Sequence, residues 1–253
     1  MSDSNESSPK GSNTTLLVVL GGCGCLTIIG LLIALLVPAV FAAREAARRM
    51  QCCSHNKGIG LAFHIYHDVY KSLPPAYTTD EDGKPLHSWR VLILPYLEQQ
   101  CLYEQIRLDE PWDSEYNKQF HDQMPSYYIC PSAKPGDKEK GLTSYMRIVG
   151  PETSTDGPNT IAFKEVTAGT SNVIMFVEVI PTTCWMAPID VQESDLAGDF
   201  RFSRESGVGS MHRGGINFCW MDDSVDFMPD SESSQLKDKV KIKHVDSGNY
   251  EDL

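Results

Sequence analysis

Residues 16–40 read LLVVLGGCGCLTIIGLLIALLVPAV, and no charged side chain appears until Arg44. About 20 apolar residues in helical form cross a bilayer core. A soluble helix of that length carries a polar face, and none appears in this stretch. A cleaved signal peptide has an apolar region of only ~7–15 residues. The pattern therefore predicts one transmembrane segment over residues 16–40. Ahead of it, residues 1–15 (MSDSNESSPKGSNTT) are polar and read as a disordered leader.

Pro38 interrupts the apolar run, since a proline inside a helix removes a backbone bond. Helical patterning resumes at once. Val40, Ala43, Ala47, Met50, Leu61 and Ile65 fall on one stripe, with Arg44, Arg48 and Arg49 off it. Leu73-Pro74-Pro75 stops the pattern, because the residue before proline is pushed out of the helical region. A continuing amphipathic helix is predicted over residues 41–73, weakened locally by Gly58 and Gly60. His64 and His67 lie three apart on it. No acidic or Cys side chain sits one turn away, so they read as a solvated or packed pair rather than metal ligands.

Residues 77–86 read as a linker with turn chemistry at Asp82-Gly83. Leu94, Leu97, Cys101 and Leu102 share a helical face, residues 114–124 suggest a short surface helix, and residues 127–130 a brief strand. Sheet patterning follows at residues 144–149 and, most strongly, at 172–180 (NVIMFVEVI). Residues 216–221 and 225–228 flank Asp222-Asp223-Ser224 as a hairpin. Residues 74–230 thus form an α+β globular domain. Residues 231–253 are a polar tail with a short helix at 234–240.

Charge narrows the choices. The chain holds 34 acidic and 22 basic residues, a net charge of −12, which excludes nucleic acid as a partner because phosphate binding needs a basic field. There are eight cysteines in no CxxC pair, so a zinc knuckle is not indicated. Leu20-Gly21-Gly22-Cys23 resembles a lipoprotein box that would acylate Cys23. The apolar run ahead of it is at the short end for such a signal. His212, Asp222, Asp223 and Asp226 form the one acid–base cluster. No Gly-x-Ser-x-Gly, HExxH or phosphate loop accompanies it. The expectation is that His212 caps the hairpin and Asp222 sets its turn. A Ca²⁺ ion at the aspartates would need six or more oxygen ligands, which are not contiguous here. No catalytic residue, metal or cofactor is expected.

Residues 30–52 (GLLIALLVPAVFAAREAARRMQC) resemble the N-terminal signature of a bacterial pilin-like family, the domain of unknown function 1559. LAFHIYHDVYKSLPP, LPYLEQQ, ICPS and VTAGTSNVIMFVE are similar to further blocks of that family. HRGGINFCWMDDSV, residues 212–225, resembles its C-terminal signature of His, nine residues, then Asp-Gly. The resemblance implies an α+β, pilin- or pseudopilin-like fold. In it a long N-terminal helix, membrane-spanning in its first half, packs on a small antiparallel sheet. It implies a structural signature of His212, Gly214, Asn217, Asp222 and Asp223, and a disulfide from Cys130 to Cys52 or Cys53. Two departures stand out: Gly21 occupies the place of the glutamate in prepilin processing regions, and Asp223 the place of the signature's glycine.

The expected role is a non-enzymatic, single-pass structural or interaction protein of a secretion or cell-surface system. Such a protein sits in the bacterial inner (cytoplasmic) membrane with its C-terminal domain periplasmic or extracellular. Arg44, Arg48 and Arg49 behind the span pull toward the opposite orientation by the positive-inside rule. Expected partners are the membrane, envelope proteins, and further copies through the N-terminal helix. The alternative is an anchored ligand-binding or hydrolytic domain on the same scaffold.

Overall fold

A computed structural model describes residues 12–196, 202–203 and 207–243, with side chains from Leu31 onward. The chain divides into two compact units, Met1–Ala47 and Arg48–Leu253. Helix α1 (Ser12–Tyr70) contains Pro38. In the first unit its side chains at Leu31, Leu32, Leu35, Leu36 and Phe41 are exposed. The span expected over residues 16–40 falls largely on residues whose side chains lie outside those described, as does Cys23. Among the described residues no helix is long and apolar enough to cross a membrane. The leader expected over residues 1–15 lies mostly outside the described residues, and α1 already includes its last four.

The second unit is α+β. Along the chain come β1 (Tyr77–Thr79), β2 (Pro85–Ser88), α2 (Trp89–Leu92), α3 (Gln100–Tyr103), β3 (Tyr145–Met146) and β4 (Ile148–Val149). Then follow β5 (Thr155–Asp156), β6 (Asn159–Thr160), β7 (Ile174–Glu178), β8 (Val191–Gln192), β9 (Gly215–Trp220), β10 (Val225–Pro229) and α4 (Leu236–Lys239). The largest sheet has the order β10-β9-β7-β3 and is antiparallel throughout. β4 and β8 form a small parallel pair.

The period of two along β9 assigns its faces. Ile216 and Phe218 join Val177, Leu236 and Val240 in a core on one side. Cys219 turns to the other side, where Cys52, Ile59 and Phe63 of α1 meet Trp89, Tyr145 and Phe176 in the main core. The face that α1 buries is not the expected stripe. Cys52, Asn56, Ile59 and Phe63 are buried, while Met50, Leu61 and Ile65 are exposed. The cause is backbone approach. A methyl at Gly60 would press on Cys219 Sγ and the Asp223 carboxylate, and one at Gly58 would meet the Tyr127 ring. Gly60, which weakens the helical pattern, lets β9 and its turn lie close, and Gly58 does the same for Tyr127.

Local readings differ from the structure where polar groups decide. The expected strand at residues 144–149 splits at Arg147, whose backbone N–H donates to Asp190 Oδ1 at 3.0 Å. Its side chain is buried and donates to Ser154 O at 2.9 Å. Residues 127–130 are no strand; a 3-10 turn covers Ser126–Tyr128. Residues 77–86 are not a loose linker but the β1–β2 hairpin, closed by Asp80 Oδ1 accepting from the N–H groups of Asp82 and Lys84. The start of the polar tail packs too: Leu236 and Val240 are buried. α1 ends at Tyr70, earlier than the prolines require, because Lys71 adopts a left-handed φ of 60°.

A buried guanidinium holds the unit's centre. Arg90 donates to the carbonyls of Tyr145, Trp185, Ala187 and Ile189, and pairs with Asp190 at 2.9 Å. Buried charges persist only when so satisfied.

Candidate functional site

Where α1 crosses the sheet, four chemically active side chains converge. Cys52 comes from α1, Glu178 from the end of β7, His212 from the approach to β9, and Cys130 follows the turn at Ser126–Tyr128. One potential ligand atom from each lies within 4.8 Å of all the others, and all four residues are buried. Cys130 Sγ lies 3.4 Å from His212 Nε2, and Cys52 Sγ lies 3.7 Å from Glu178 Oε1.

A surrounding shell fixes these groups. Asn217 donates to Glu178 Oε2 from its side chain at 2.9 Å and from its backbone at 3.1 Å. That leaves Oε1 turned toward the thiols. Tyr145 OH shares a 3.1 Å hydrogen bond with Cys52 Sγ. The Cys130 N–H donates to Ser144 Oγ at 2.8 Å, and the His212 N–H to Ser210 Oγ at 2.9 Å.

The electrostatics are uneven. The hydrogen bond from Cys130 pulls the Cys52 thiol down to about 5 against the opposing effect of burial, with His212 and Tyr145 assisting. Cys130 moves up, first through that same hydrogen bond and then through burial. Burial raises Glu178 to about 7, and the neighbouring Cys52 adds to the rise. Cys52 is therefore the thiol that ionises first. Chemically the group can hold a thiolate, close a disulfide or ligate a cation. With every member buried, it lies beyond the reach of a dissolved substrate.

The expected site residues divide between two places. His212 belongs to the cluster, and Asn217 to the shell that holds Glu178. Asp222 and Asp223 lie beyond the other end of β9, so His212 does not cap the hairpin. Asp222 does set the turn, with its Oδ1 accepting from the Ser224 N–H at 3.0 Å. Asp223 adopts a left-handed φ of 69° and lies 3.6 Å from Lys57 Nζ. Gly214 takes φ 90° ahead of β9. Asp226 is exposed and turned back on the Phe227 N–H.

Of the two cysteines weighed as partners of Cys130, Cys52 is the near one. Cys53 instead faces Asn217 Oδ1 at 3.8 Å. Cys52, Cys53 and Cys130 are all free thiols here. His64 and His67 both pack on the Phe163 ring, each with centroids 4.5 Å apart. In the sequence Glu178 merely ends an apolar run. An acid closing a strand buried on both faces was the available signal.

The segment from His212 to Asp223 thus runs along α1. Arg213 O accepts from Arg49, Asn217 meets Cys52, and Asp223 meets Lys57. Residues 41–160 match the family described as protein of unknown function (DUF1559). No curated protein and no solved structure matches the chain.

Proposed function

We propose that this chain, whose residues 41–160 match the DUF1559 family, is a non-enzymatic, membrane-anchored, pilin-like structural or interaction protein. One observation carries the reading: the uncharged run at residues 16–40 lies within helix α1, and its described apolar side chains, such as Leu31, Leu35 and Leu36, are exposed. An apolar surface of that kind calls for lipid or protein around it. The exposed Met50, Leu61, Ile65 and Val69 extend an apolar face along the second unit's part of the helix, which suits a protein partner. The burial of the thiol–histidine–carboxylate group supports a holding role rather than turnover.

The test is fractionation of cells making the full chain. The protein is expected in the membrane pellet after alkaline carbonate washing, and release into the wash would overturn the anchor. Cys101, exposed in the structure, reports orientation. Spheroplasts treated with a membrane-impermeant maleimide should label Cys101 if the second unit faces outward. Labelling only after lysis would place it in the cytoplasm.

A further inference from the structure

We propose that Cys52, Cys130, Glu178 and His212 form a zinc site that clamps the long helix to the sheet. The proposal does not depend on the membrane anchor. The donor set is two sulfurs, one imidazole and one carboxylate, a mixture that suits zinc better than harder cations. Tetrahedral zinc with ordinary bond lengths separates neighbouring S and N or S and O ligands by about 3.5–3.7 Å. The observed separations are 3.4 Å from Cys130 Sγ to His212 Nε2 and 3.7 Å from Cys52 Sγ to Glu178 Oε1. No ligand atom of the four is more than 4.8 Å from another.

Two features separate this from accidental crowding. Glu178 has its far oxygen held twice by Asn217, which presents the near oxygen to the cluster. Tyr145 OH positions Cys52 Sγ. Partners of this kind orient ligands at metal sites. The four ligands also come from four separate stretches of chain, so one ion would bind α1, β7 and the approaches to two further elements. Wide spacing of this sort leaves no local motif, which is why the cysteine pattern indicated no zinc. On binding, Zn²⁺ takes both thiolates and the carboxylate, and every proton still held by the two thiols and the Glu178 carboxyl passes to solvent. No electrons move. With four protein ligands the ion has no open position, as in structural zinc sites.

The test uses the full chain extracted in detergent under non-reducing conditions. Metal analysis after desalting should find about one zinc ion per chain, and Cys130→Ser and His212→Gln should each lose most of it. Because either variant could fail to fold, the wild type is also stripped and refilled with Co²⁺. A thiolate-to-cobalt charge-transfer band with the visible bands of a tetrahedral ion is expected. Unfolding should move to higher temperature with Zn²⁺ and back with a chelator. A folded wild-type chain that takes up neither ion would overturn the proposal. So would a Cys52–Cys130 disulfide peptide recovered from the natively extracted protein, since those sulfurs would then be unavailable.

Discussion

At the scale of single residues, the second unit depends on buried polar groups whose partners are fixed. Arg90 is the largest case: its fork satisfies four carbonyls and one carboxylate. Arg90→Leu strands Asp190 in the core, and breaking a buried pair from one side costs about 3–5 kcal/mol. Arg90→Lys keeps the charge but not the planar fork, and should still lose more than about 2 kcal/mol. Urea unfolding of both variants checks this; a lysine variant of wild-type stability would show that charge alone suffices. His87 makes a second case. Its Nε2 lies 3.1 Å from Arg107 O, while Nδ1 is buried without a partner among the described residues. Burial holds it below its ordinary value of 6.5. Well above pH 6.5 neither folded nor unfolded chain protonates it, so it has no effect there. As pH falls below that, the unfolded chain takes up the proton first and stability drops, by at most about 1.4 kcal/mol per pH unit for this group. His87→Gln retains a donor for Arg107 O. Compared between about pH 7.5 and about pH 5.5, its unfolding free energy should fall less steeply than that of the wild type.

At the scale of elements, α1 and the β9–β10 hairpin fit through an absence. Gly60 leaves room that Cys219 and Asp223 fill, so Gly60→Ala should destabilise the unit by about 1–3 kcal/mol despite alanine's better helix propensity. Asp223 adopts a left-handed backbone and carries a buried oxygen with no partner among the described residues. Asp223→Gly removes both costs and gives up a half-exposed pair with Lys57, so a gain of about 1 kcal/mol is expected. The double variant should be less harmed than the two single effects predict, because the carboxylate that blocks the new methyl is gone. A strictly additive cycle in chemical denaturation would mean that Cys219 alone sets the limit. The hairpin, β7 and the long helix were legible in the sequence because their patterns are strong and local. The helix's buried face was not. Met50, Leu61 and Ile65 make the better apolar stripe, yet a stripe does not say whether the sheet or the outside will face it. Cys52 lies inward where Tyr145, Glu178 and Asn217 meet its sulfur, and the polar Asn56 one turn on is buried with it. The break at Arg147 was hidden for the same reason, since its partner Asp190 is distant in the chain. Three of the four cluster residues, His212, Cys52 and Cys130, are visible as signature or cysteine residues, while Glu178 reads as the end of an apolar strand.

At the scale of the whole molecule, the described core residues are distributed very unevenly. Every buried hydrophobic residue among those described lies at or beyond Cys52, and within the second unit Arg49 donates to Arg213 O and lies over the Phe227 ring at 5.3 Å. Isolated helix is marginal in water without an apolar face to bury, so this unit's segment of α1 should be held by its packing rather than by continuation toward the N-terminus. A chain beginning at Ala42 retains more than one helical turn ahead of Arg49 and lacks the uncharged run. It is expected to stay in the supernatant without detergent and to unfold cooperatively within a few degrees of the full chain in detergent. The Cys130 thiol should resist labelling until unfolding, as its burial requires. A shortened chain that aggregates, or that unfolds far below the full one, would mean that the N-terminal segment supports the fold itself, and anchoring and folding could then no longer be treated as separate tasks of this helix.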